Sequence, residues 1–183
     1  MHRLWWWISI VLLLLTVPAF GKDESGSATC AYATKDGEFG QTSDCLGLDK
    51  KGNPVVASKH VRKLRFAANG LADVYSSRLG WMYVNRSGKI VIRGVAVMDN
   101  GADYFCDGLV RFSRAGKWGF ANARGREVVA PQYDGALPFE KGVAKVCRGC
   151  ESKCAEAACE HHVLTGGEWL CINTRGETVT CPK

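Results

Sequence analysis

Nine cysteines give this 183-residue chain most of its chemical potential. Six of them cluster late, as Cys147, Cys150, Cys154, Cys159, Cys171 and Cys181, and two histidines, His161 and His162, stand among them. Thiolate and imidazole at such spacing are ligands suited to tetrahedral zinc. The second half of the cluster does not repeat the Cys-x-x-Cys spacing, however, and the chain begins with what reads as an export signal. An oxidising compartment favours disulfides over a metal, so the cluster is expected to be stapled. Its pairing is left open by the sequence. Cys147-Arg148-Gly149-Cys150 also has the form of a thiol–disulfide motif. That chemistry wants a helix N-terminus after a strand to lower the thiol pKa, and no βαβ pattern surrounds it. Cys30 and Cys45 lie close enough in sequence to pin an N-terminal unit. Cys106 has no cysteine neighbour and is the expected free thiol.

Other catalytic signatures are missing. The chain has four histidines, and one of them, His2, lies in the signal-like segment. No nucleophile elbow, His-Glu-x-x-His pair or phosphate-cradling glycine loop occurs. Asp73, Asp99, Asp103, Asp107 and Asp134 fall in or beside expected turns, scattered rather than paired. The expectation is a non-catalytic protein without a cofactor.

The elements that must position these residues repeat. Asp49-Lys50-Lys51-Gly52, Asn85-Arg86-Ser87-Gly88, Asn122-Ala123-Arg124-Gly125 and Asn173-Thr174-Arg175-Gly176 share one Asx-x-x-Gly pattern. Their first residues are 36 (49 to 85), 37 (85 to 122) and 51 (122 to 173) apart. A valine follows each glycine at Val55, Val91, Val128 and Val179, and Trp81, Trp118 and Trp169 precede the last three turns. Asx accepts backbone hydrogen bonds locally and glycine supplies a positive φ, so each turn reads as a β-hairpin connection. Apolar and aromatic runs flank the turns, and helical periodicity is not evident, which favours strands. A further strand precedes each hairpin, led by Phe66, Phe105 and Phe139. The last spacing is longer because a cysteine-rich insertion occupies residues 147–166. Ala155-Glu156-Ala157-Ala158 within it suggests a helical turn, and the insertion is the expected carrier of any recognition peculiar to this chain.

The stretch from Phe105 to Tyr133, with Asp107-Gly108-Leu109, Gly116-Lys117-Trp118-Gly119-Phe120 and Val128-Val129-Ala130-Pro131, resembles the WG-repeat (KWG-repeat) family, short β-hairpin repeats found mostly in bacteria. The neighbouring units depart from the pattern: Met82 and Leu170 replace Gly119, and Cys171 replaces the aromatic of Tyr83 and Phe120. The first unit, Cys45 to Val56, lacks the tryptophan and resembles a degenerate cap. The resemblance covers roughly residues 39–182. It implies a β-repeat scaffold with a binding role and carries over no functional residues. The expected fold is therefore all-β, tandem antiparallel hairpins in a solenoid-like or stacked-sheet arrangement. Trp81, Trp118 and Trp169, with Gly88, Gly125 and Gly176, are its expected anchors, each tryptophan filling the gap between successive hairpins rather than stacking on a ligand.

Met1-His2-Arg3, the apolar run from Leu4 and the small residues ending at Gly21 read as a secretory signal over residues 1–21. The rival reading is a retained membrane anchor, since Leu4 to Phe20 sits at the lower edge of spanning length. Cys30 lies too far from Gly21 for a lipoprotein. Residues 22–38 are expected to be a flexible leader, most clearly over the polar stretch Lys22 to Thr29, with the repeat domain beginning at 39. The implied location is periplasmic or secreted. The net charge is +6, and its densest patch is Lys59, Arg62, Lys63 and Arg65. These cations suit an anionic ligand such as a lipid head group, acidic polysaccharide or nucleic acid. The competing reading is a solvated edge strand guarded by charge. The partner is expected to be a protein or an envelope polymer, without a specific nucleic-acid signal.

Overall fold

A computed structural model describes residues 28–98, 101–156, 159 and 162–182. The signal segment, the leader up to residue 27, Asp99, Ala157, Ala158 and His161 lie outside the described residues.

The four Asx-x-x-Gly turns are built alike. In each, the Asx side-chain oxygen accepts the N–H groups two and four residues on, at 2.8–3.1 Å. The turn glycine donates back to the Asx carbonyl and takes φ between 77° and 82°. One local solution, repeated, places every strand that follows.

β1 (Cys30–Ala33) and β2 (Phe39–Thr42) form the outer part of a five-stranded sheet. Because β1 is buried and paired, the expected leader ends before Cys30 and not at residue 38. The Asp49 turn joins β3 (Leu46–Leu48) to β4 (Pro54–Val56), a small hairpin in place of the degenerate unit. The basic run that follows is no edge strand. Ser58–Val61 forms α1, a single helical turn that buries His60 and Val61, with Leu64 buried just beyond. Apolar residues at 61 and 64 dock inward while Lys59, Arg62, Lys63 and Arg65 stay exposed.

Three units follow, each with three antiparallel strands. The first is β5 (Ala72–Ser76), β6 (Gly80–Val84) and β7 (Ile90–Arg93). A short ribbon, β8 (Val97–Met98) and β9 (Gly101–Ala102), links it to the second unit. That unit is β10 (Leu109–Arg114), β11 (Lys117–Asn122) and β12 (Glu127–Tyr133). The third unit uses β13 (Gly135–Ala136) and β14 (Val143–Arg148), then makes an excursion through β15 (Glu151–Cys154) and β16 (His162–Thr165), then returns in β17 (Glu168–Asn173) and β18 (Thr178–Val179). The insertion thus carries a paired ladder, Glu151↔Thr165 to Cys154↔His162, where a loop was expected; the helical turn expected over residues 155–158 falls partly outside the described residues.

Register is conserved across the units. Trp81 faces Tyr75, Trp118 faces Ser113, and Trp169 faces Cys147, each one step from the strand end. Alternation then sends successive residues to opposite faces. Met82 and Val84 enter an N-terminal core with Tyr32, Leu64 and Val74. Tyr83 points the other way and meets Val110, Phe112 and Ala121 of the second unit. Phe120 in turn meets Ala144, Val146 and Ile172 of the third. The molecule is therefore a stack of small sheets with a core between each pair, as a repeat unable to bury its face alone requires.

Two further devices lock the stack. The third strand of each unit passes directly into the sheet of the next. β12 ends at Tyr133, and β13 pairs with β14 one residue later; Arg93 of β7 is likewise followed by Val95 bridged to Phe112. The last three turns also seat on the preceding valine strand, at Val56, Val91 and Val129. A Cβ at Gly88 would lie 2.3 Å from the Val56 carbonyl oxygen, and one at Gly125 would lie 2.7 Å from that of Val91.

Candidate functional site

The residues placed by the repeat differ in fate according to what stacks on them. Between units, the gap is filled less by the tryptophans than by the residue two positions later. Phe120 is fully buried and stacks edge-on against Phe139, with ring centroids 4.7 Å apart. Tyr83 is buried against Phe105, and its hydroxyl donates to the Asp103 carbonyl at 2.7 Å. Trp81 and Trp118 are half-buried at the rim of these cores. The expectation that the tryptophans would be the buried anchors is corrected accordingly. The sequence signal for the true anchor was the aromatic two residues after each tryptophan.

The glycine of Trp118-Gly119 has its own cause. β12 bulges over β11, and a Cβ at Gly119 would lie 2.5 Å from the Val129 carbonyl oxygen and 2.8 Å from the Pro131 nitrogen. Only a bare backbone admits that approach.

The third unit presents the same face, and among the described residues no further sheet packs on it. Trp169 is 39 % exposed, its indole N–H donating to the Gly166 carbonyl. Cys171 stands where Tyr83 and Phe120 stood, bonded to Cys181 and buried. Leu137, Lys145, Trp169, Leu170 and Cys181 line an open groove of about 330 Å³. β18 pairs with Cys171 and Ile172 only. On the edge of β17 away from β14, no strand among the described residues pairs with Trp169, where Tyr133 pairs with Trp118 in the unit before.

The WG containing repeat, as a family, matches residues 118–149, from the tryptophan of the second unit to the end of β14. Over these residues the chain carries a WG-type repeat. No curated protein and no solved structure matched it.

Eight cysteines form four disulfides, Cys30–Cys45, Cys147–Cys150, Cys154–Cys159 and Cys171–Cys181, leaving Cys106 free. Burial, reinforced by the Asp103 and Asp107 charges, pushes the Cys106 thiol pKa up, away from nucleophilic character. The Cys147–Cys150 pair sits at the end of β14, buried, and packs against Gly135 and not at a helix N-terminus. Cys154, Cys159 and His162 converge, their ligand atoms all within 4.8 Å of one another and all three residues exposed.

The carboxylates act as ties between units of the WG-repeat stack. Asp103, buried, receives Arg111 through Nε at 2.8 Å and Nη2 at 3.0 Å, while Arg111 Nη1 reaches the Ala136 carbonyl of the next unit. Asp107 accepts the Gly142 N–H at 2.7 Å. Asp134 accepts from Lys117 and from the Gly149 N–H, which together hold its carboxyl below the usual range. Asp73 lies opposite Tyr83 on β5. Each of these four has a place in the scaffold.

Proposed function

We propose that the protein is an exported, non-catalytic interaction module of the cell envelope, and that the edge of β17 left unpaired among the described residues takes up an extended strand of a partner protein. One observation carries this reading: the edge of β17 at Trp169 lacks the strand that covers the corresponding edge in the repeat before it. The inner repeat also specifies the occupant. It is an extended segment with an aromatic side chain set opposite the tryptophan, as Tyr133 is set opposite Trp118. Added strands of this kind gain affinity from main-chain hydrogen bonds and specificity from alternate side chains. The groove lined by Leu137 and Trp169 provides the apolar pocket for such a side chain.

Export is supported by the disulfides, by the signal-like N-terminal sequence and by cysteine usage suited to an oxidising compartment. Among the described residues no helix is long and apolar enough to cross a membrane.

The test uses a peptide with the sequence of residues 127–136, supplied in trans to the folded protein. Its binding is followed by the indole N–H resonance of Trp169. The expected result is a saturable shift of that resonance, lost when the tyrosine of the peptide is replaced by alanine. No shift at any attainable peptide concentration would favour a purely structural scaffold. Binding of an acidic polysaccharide lost on reversing Lys59, Arg62, Lys63 and Arg65 would instead place the ligand at the other end of the stack.

A further inference from the structure

The four disulfides do unequal work. Cys30 and Cys45 are fully buried in the N-terminal core. Cys147 and Cys150 are buried under Gly135, whose Cβ, if present, would lie within 3.0 Å of both sulfurs. Cys171 replaces a core aromatic. Cys154–Cys159 is different. Both residues are exposed, neither belongs to a hydrophobic core, and the bond spans a separation of 5 residues within a hairpin already held by the β15–β16 ladder. A cross-link that closes so short a loop removes little chain entropy.

What this bond does place is a ligand set. Cys154 is the direct cross-strand partner of His162, and His162 Nε2 lies 3.5 Å from Cys159 Sγ. As a disulfide the sulfurs are poor ligands, since a metal takes thiolate. Reduction would free two thiolates beside an imidazole, on a hairpin that in its oxidised form already holds the three ligand atoms within 4.8 Å of one another.

We infer that Cys154, Cys159 and His162 form a redox-gated site for a thiophilic cation of the zinc type, closed to metal when oxidised and open when reduced. The reductant is an exported dithiol. Its thiolate attacks one sulfur of the Cys154–Cys159 bond, giving a mixed disulfide, and its second thiol then displaces the protein sulfur. Two electrons pass to the protein, the dithiol becomes a disulfide, and two protons end on Cys154 and Cys159. Zinc then displaces those two protons to solvent, binds the neutral His162 ring, and keeps a fourth position for water. Exposure selects this bond for attack, because exposed disulfides are the labile ones and buried ones resist. The site is separate from the Trp169 groove and stands or falls independently of it.

The experiment uses the full mature protein, titrated with a limiting dithiol and then mapped by alkylation and mass spectrometry. The expected result is release of Cys154 and Cys159 before any other pair. Cobalt(II), a spectroscopic stand-in for zinc, should then bind at one equivalent with a thiolate charge-transfer band, and zinc should displace it. The unreduced protein should show no such band. His162→Ala, an exposed change that leaves the fold intact, should weaken cobalt binding about tenfold or more. Cys154→Ser with Cys159→Ser should abolish it. Release of Cys147 and Cys150 first, a band in the unreduced protein, or His162→Ala binding unchanged would each overturn the inference.

Discussion

The second and third repeats have the same register and opposite surroundings. Trp118 and Trp169 each sit one step from the strand end, paired to the equivalent residue of the preceding strand. Two residues on, Phe120 is sealed between sheets by Val146 and Ile172, whereas Cys171 is sealed by its own bond to Cys181. The repeat therefore fixes where a side chain goes, and the neighbouring unit decides whether it becomes core or surface. In the third unit a covalent bond, Cys171–Cys181, stands where the second unit has a packed layer.

The largest effects should come from inside the second unit. Phe120→Ala should cost about 3–5 kcal/mol in denaturant unfolding, because the fully enclosed site has no route to collapse. Asp103→Ala should cost somewhat less, about 2–4 kcal/mol, leaving the half-buried Arg111 without its partner. If either change is silent, the sealed-layer account of the inner repeat is wrong.

Next in size is the staple that stands in for a layer. Replacing Cys171 and Cys181 by serine should cost about 2–4 kcal/mol, and the Cys154, Cys159 double serine variant should cost clearly less. Equal losses from the two would erase the distinction between the terminal staple and the hairpin disulfide. Trp169→Ala should cost less than about 1 kcal/mol, in the range of exposed positions. Trp118→Ala, half-buried, should fall between Trp169→Ala and Phe120→Ala. Matching losses at the two tryptophans would mean that the terminal face is covered after all.

The smallest effect concerns the opposite end of the stack, which is covered rather than open. His60 is buried on the inner face of α1, its Nδ1 facing the Tyr32 hydroxyl at 3.2 Å. Burial, with Lys59 and Lys63 adding repulsion, lowers its pKa below the ordinary 6.5, against a lesser opposing pull from Asp44. The unfolded chain then binds the proton more readily than the folded one, so stability rises with pH. The His60 contribution is complete above the unfolded value of 6.5 and is lost as pH falls through the folded value. His60→Gln should flatten that part of the pH–stability curve, as measured by thermal unfolding from neutral to mildly acidic pH. An unchanged curve would mean that the covered end carries no titrating weakness.

Much of this scaffold was legible in the sequence because its specification is local. An Asx side chain and a glycine close each turn without help from distant residues, so the hairpins, the three-strand unit and the degenerate cap could be read directly. The Cys30–Cys45 pair and the free Cys106 followed from neighbourhood alone. What depends on stacking was harder to read. Trp169 has the same local sequence logic as Trp118, and only the missing layer exposes it. The helical turn at Ser58–Val61 is too short to show periodicity and exists because Val61 and Leu64 dock into the first core. β1 was mistaken for leader because its inward face consists of Cys30 and Tyr32, with small residues between. The alanines of the insertion suggested a helix locally, yet cross-strand pairing from Glu151 to Thr165 organises the flanking residues.

One consequence follows from the strand that leaves β12 and becomes β13 after a single residue. No cut separates one unit from the next without leaving a half-built sheet on one side. As the polypeptide emerges from a ribosome or a translocation pore, the third sheet receives its first strand, β13, directly from the last strand of the sheet before it. Assembly is therefore directional, advancing like a zip whose every tooth belongs to two links. Duplicating or deleting a unit succeeds only when the break falls at the same phase of that shared strand.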